Sequence, residues 1–129
     1  MNDPTFSPWG EVQACETLCH GIYLVTTPGH GGILVEPESA FYLSAAARKC
    51  AFRDGGYLCF EEDCCEQVVL RELLDKKLWQ IPSRVTDPEA FEKAINNSLQ
   101  EWQPEYWSAR EKARHRAKTP KKQITGPAR

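Results

Sequence analysis

The stretch from residue 22 to residue 35 constrains the fold more than any other. Two apolar runs, Ile22-Tyr23-Leu24-Val25-Thr26 and Ile33-Leu34-Val35, are joined by Pro28-Gly29-His30-Gly31-Gly32. β-Branched and aromatic residues suit a pleated surface, and Pro and Gly suit a tight reversal. The pattern predicts a β-hairpin with His30 at its tip. A second short run, Tyr57-Leu58-Cys59-Phe60, predicts another strand after the turn Asp54-Gly55-Gly56. Residues 11–15 are expected as the strand before the hairpin.

Helical signals surround these strands. Pro37 suits a first helical turn, and residues 38–49 follow it with Phe41, Leu43 and Ala45-Ala46-Ala47. Glu61-Glu62-Asp63 is expected to open a helix running to about residue 79, with Lys76-Lys77 complementing its dipole at the other end. In it Cys65, Val69 and Leu73 recur at i, i+4, i+8, with Leu70, Leu74 and Leu78 beside them. So broad an apolar face belongs to a central helix packed on the sheet. Thr86-Asp87-Pro88-Glu89 reads as a capping box, and the helix after it places Phe91, Ala94, Ile95, Leu99 and Trp102 on one face. Pro104 interrupts that helix, which resumes over residues 105–118 with Tyr106 and Trp107 docking its start. Trp9 is expected to anchor an irregular arm of residues 1–10. The fold class is α+β, a small antiparallel sheet covered by two or three helices.

Charge divides the chain. Residues 1–109 hold 8 Lys/Arg against 17 Asp/Glu, net -9, whereas residues 110–129 hold 8 against 1, net +7. The expected organisation is therefore one α+β domain over residues 1–109 and a basic C-terminal arm over 110–129. Arg110, Lys112, Arg114, His115, Arg116, Lys118, Lys121 and Lys122 cover several faces of a helix rather than one stripe. They read either as a solvated tail or as a binding arm for phosphates of RNA or DNA, or for an acidic protein groove.

The apolar runs, about five residues at most, are too short to span a membrane. Met1-Asn2-Asp3-Pro4 has neither part of a signal peptide, so a cytoplasmic location and no membrane partner are expected. In a reducing compartment the six cysteines, Cys15, Cys19, Cys50, Cys59, Cys64 and Cys65, are expected as thiols. Cys15-x3-Cys19-His20 is half of a zinc pattern without a second half, so neither a metal nor a cofactor is expected.

Two constellations could carry chemistry. His30, flanked by glycines, reads as a base or ligand on a loop, or as a plain hairpin residue. Glu61, Glu62 and Asp63 read as partners of His30 in acid/base or metal chemistry, or as acids capping a helix. No nucleophile-elbow, Walker, zincin or Rossmann pattern is present.

Trp9-Gly10, Thr27-Pro28-Gly29-His30-Gly31-Gly32 and Glu61-Glu62-Asp63-Cys64 together resemble a family of small phage and mobile-element proteins of unknown function. The resemblance covers about residues 8–75 and departs at Cys65-Glu66, where relatives often carry an aromatic. It implies no activity but a setting, the accessory genes among which inhibitors of host defence are common. The leading expectation is an inhibitor of the anti-CRISPR kind, which binds a host defence protein or nucleoprotein by occupancy, its acidic body mimicking nucleic acid. The alternatives are a hydrolase or metal-dependent nuclease using His30 with Glu61, Glu62 or Asp63, and a non-specific nucleic-acid-binding accessory protein.

Overall fold

Residues 22–35 form the expected hairpin, and the rest of the sheet is assembled on it. In the computed structural model, which describes residues 3–118, β1 (Phe6–Ser7) and β2 (Gly10–Glu11) make a two-stranded ladder. β3 (Ala14–Cys19), β4 (Ile22–Thr26), β5 (Gly31–Val35), β6 (Phe52–Asp54) and β7 (Tyr57–Glu61) make an antiparallel sheet in the order β3-β4-β5-β7-β6. A 3-10 turn (Pro37–Tyr42) and α1 (Ala45–Arg48) lie between β5 and β6, and α2 (Glu66–Asp75), α3 (Pro88–Trp102) and α4 (Pro104–Lys118) follow the sheet. The fold class is α+β, as the sequence predicts.

Strand alternation divides the apolar residues between two cores. Ile22, Ile33, Val35, Leu58 and Phe60 join Val69 and Leu73 of α2, Leu99 of α3 and Tyr106 of α4. Their neighbours Tyr23, Val25, Leu34 and Cys59 point the other way, under Trp9, Val12, Cys15 and Tyr57. Helices therefore cover one face and the N-terminal arm the other, with Trp9 its anchor. A Cβ on Gly32 would collide with the Trp9 ring and the Phe60 carbonyl oxygen, which is why β5 begins in glycine two residues before the expected Ile33.

Several boundaries differ from expectation, each for a local reason. The strand before the hairpin is Ala14–Cys19, not 11–15, because Gly21 (φ 78°) turns the chain directly after it. The helix expected over 38–49 is split, since Leu43 is extended and the Ser44 side chain accepts from Ala47 N to start α1 afresh. β6 has no strand signal of its own, and it forms by pairing with β7 across Gly55 and Gly56, both at positive φ. α2 begins at Glu66 rather than Glu61, because Glu61 is held in β7 opposite Gly32. It ends at Asp75 because Lys77 is left-handed (φ 60°) and Leu78 N closes on Leu73 O at 2.8 Å, a Schellman ending. The cap of α3 is Asp87, which accepts from Ala90 N, and not Thr86. On α3, Ile95 and Leu99 are buried as expected, whereas Trp102 is 58% exposed.

Polar groups fasten the helices to one another. Glu72, buried on α2, accepts from Ser44 N (2.6 Å), Ser44 Oγ (3.2 Å), Lys76 Nζ (3.1 Å) and the Tyr106 hydroxyl (2.7 Å). Arg71 beside it donates to Asn96 and Glu92 of α3. Asp75 takes the Arg110 guanidinium of α4 in a two-point grip, at 2.7 and 3.0 Å. Burial acts to raise the pKa of Asp75, but the hydrogen bonds and charge of Arg110, with Arg71, hold it below its usual value. The boundary expected after Ala109 thus falls inside α4, and Arg110 belongs to the packed body.

Candidate functional site

β5 and β7 are neighbours, and this pairing sets the His30 loop beside the acidic triplet. Gly32 stands opposite Glu61, and Glu62 N donates to Gly31 O at 3.1 Å. Thr27 fixes the loop from within. Its hydroxyl lies 2.6 Å from His30 O and 3.2 Å from Trp9 O, its backbone N donates to His30 O, and His30 N returns a bond to Oγ1. The two residues between, Pro28 and Gly29, make a tight exposed turn.

Trp9, His30, Gly31, Glu61, Glu62, Asp63 and Cys64 line a cleft of about 120 Å³ at this end of the sheet. The cleft brings all four sequence-expected residues, His30, Glu61, Glu62 and Asp63, together. Their side chains are exposed. The hydrogen bonds of His30 belong to its backbone, so among the described residues no carboxylate orients its ring in the manner of a base held by a third group. Among the described residues no group of three or more His, Cys, Asp or Glu could hold a metal ion. The arrangement presents concentrated negative charge to a small cationic group.

Glu66 opens α2 just after the cleft residues, and sequence reasoning misses it. Burial first, then the charges of Glu62 and Asp63, push its carboxyl up to about 7. The available signal is spacing, since Glu62 and Asp63 sit four and three residues before it on the incoming turn. Thr27 is legible only as a motif letter, because its partners Trp9 and His30 meet through the fold.

The basic residues separate into two groups. Arg110 is consumed: its side chain is 8% exposed, gripped by Asp75, paired with Glu111 and stacked 4.9 Å from the Trp107 ring centroid. Lys112, Arg114, His115 and Arg116 are exposed, as is every residue from 111 to 117. Trp107, Ser108, Glu111, Lys112, His115 and Arg116 line an open groove along one side of this helix. Lys118 ends α4, and Lys121 and Lys122 lie outside the described residues.

Fold and site define a small α+β protein with an acidic cleft at one end of its sheet and a basic helix leaving its body. The chain belongs to DUF7007, a domain of unknown function whose family match spans residues 2–125. Membership reaches well beyond residues 8–75 and brings no activity or partner with it. No curated protein and no solved structure matches the chain. Among the described residues no helix is long and apolar enough to cross a membrane.

Proposed function

We propose that the protein acts by occupancy: it binds a host defence protein or nucleoprotein complex and blocks it, in the manner of an anti-CRISPR protein. The observation that carries this reading is the second half of α4. Residues 111–117 are exposed on every side of a helix and carry Lys112, Arg114, His115 and Arg116. Ala113, Arg114 and Arg116 of these turns still border the body beside Asp75, but the exposed charge along them is suited to an outside partner. Arg110 on Asp75 anchors its base, so the charged turns are presented already folded. Less conformational entropy is then lost on docking than by a disordered arm. The acidic cleft supplies charge of the opposite sign, which favours a target with both a basic channel and an anionic component.

Occupancy has a stoichiometric signature. Titration of the protein against a defence complex captured with it is expected to reach full inhibition near one copy per complex. Full effect at a hundredth of the complex concentration would mean turnover and would sink the reading. One observation favours a second reading, a hydrolase or metal-dependent nuclease: His30 and the triplet do share a cleft. Loss of activity in His30→Ala and Glu62→Gln with unchanged folding would support it. A non-specific nucleic-acid-binding role would instead show equal affinity for unrelated RNA and DNA oligonucleotides with no defence complex present.

A further inference from the structure

Adjacent cysteines at the inner edge of the cleft bring two thiols together. Cys64 Sγ and Cys65 Sγ are 2.9 Å apart, and Cys64 lines the cleft. Both are free and partly exposed. We propose that Cys64 and Cys65 form a reversible redox site, in which Cys64 attacks a small-molecule disulfide and Cys65 resolves the adduct into a Cys64–Cys65 disulfide.

The surroundings divide the two roles. Cys64 opens to the cleft, where a reagent arrives. Cys65 is set deeper, as the residue that caps α2, packed against the main core and accepting from Gln103 Nε2 at 3.4 Å. Its thiol is pushed up to about 12, by burial first and then by its hydrogen bond to Cys64. Cys65 therefore keeps its proton in the resting pair, and Cys64, on the cleft side, is the sulfur that an incoming reagent meets first. In the first step the Cys64 thiolate bonds to one sulfur of the small disulfide and expels the other half as a thiolate. In the second step Cys65 gives its proton to water, bonds to Cys64 Sγ and expels the remaining half. One small disulfide is reduced to two thiols, and the pair loses two hydrogens.

Chain geometry makes the product labile. Neighbouring Cα atoms are about 3.8 Å apart, below the roughly 4.4 Å minimum usual for a disulfide, so the bridge is strained and easily reduced. Such bonds are the regulatory kind. Its consequences fall on two places. Cys64 is part of the cleft wall, and Gln103 Nε2, which also holds Cys64 O at 3.2 Å, belongs to the joint between α3 and α4.

The test is independent of any binding partner. Reduced full-length protein is treated with glutathione disulfide, alkylated, and read by intact mass and peptide mapping. The wild type is expected to lose two hydrogens within the segment carrying residues 64–65. Cys65→Ser is expected to stop as a glutathione adduct on Cys64, and Cys64→Ser to form no adduct on Cys65 over the same interval. One equivalent of phenylarsine oxide, which needs two close thiols, is expected to protect both residues of the unmutated protein from alkylation. The proposal is overturned if the wild type stops at the adduct, if Cys50 is joined to either residue, or if both thiols stay open to alkylation after phenylarsine oxide.

Discussion

The helical side of the molecule and the cleft side treat charge in opposite ways. On the helical side Arg71, Glu72, Asp75 and Arg110 all meet partners, and they tie α1, α2, α3 and α4 together. On the cleft side Glu61, Glu62 and Asp63 are exposed, and Glu66 is crowded by two of them. In the second half of α4 Lys112 and Arg116 are exposed in the same way, whereas Arg114 adds its charge to the hold on Asp75. Charges that meet partners within the chain hold the fold, whereas those presented outward are the ones available to a ligand.

This contrast makes the sign of each substitution predictable. The largest effect is expected from Glu72→Ala. It strands the Ser44 N–H and the Tyr106 hydroxyl in the interior and should cost about 3–5 kcal/mol in urea unfolding. A midpoint shift too small to resolve would mean that Glu72 does not join the helices.

Glu66→Gln should act in the other direction. The folded pKa of Glu66 is about 7, above the ordinary 4.5. The native state is therefore favoured by the protonated form, and stability falls as pH rises from about 4.5 to about 7. The neutral glutamine escapes that loss. The variant should be more stable than the parent at pH 8, by up to about 3 kcal/mol, and equal to it at pH 4. A gain that persists at pH 4 would contradict the crowding of carboxylates.

Arg110→Ala should cost about 2 kcal/mol, the worth of a charged hydrogen-bonding group. Because Asp75 is held below its ordinary 3.8, this contribution is complete above that pH and fades as the carboxylate is protonated below it. Unfolding of parent and variant at pH 7 and pH 2.5 should show a smaller difference at the second, where stacking on Trp107 remains. The smallest effects are expected from Lys112→Ala and His30→Ala, which should leave the urea midpoint where it was. A shift as large as that of Arg110→Ala would place those side chains in the fold and erase the distinction.

Local signals made much of this legible in the sequence. The hairpin, the strand at Tyr57 and the break at Pro104 follow from turn residues and strand alternation, whereas the proximity of His30 to the acidic triplet comes from the pairing of β5 with β7. Partners distant in sequence hid the rest. Glu61 looks like a helix-opening acid, but pairing with Gly32, 29 residues earlier, holds it in a strand. Phe52-Arg53-Asp54 is too short and polar to announce a strand and is one only because Tyr57–Glu61 lies beside it. Glu72 shares a polar stripe with ordinary surface residues until Tyr106 arrives from 34 positions away. Arg110 and Lys112 are alike in composition, and Asp75 alone separates them.

The central claim, that the outward half of α4 docks on the partner, is tested most directly by its salt dependence. Binding of the captured defence complex is measured by titration calorimetry at two ionic strengths, for the parent and for Lys112→Glu/Arg116→Glu. The reversed helix is expected to keep the parent's unfolding midpoint and lose at least about tenfold in affinity, which is about 1.4 kcal/mol. Its salt slope should flatten by about one for each phosphate that the helix no longer neutralises. Unchanged affinity and an unchanged slope would contradict the claim and leave the acidic cleft as the surface that binds.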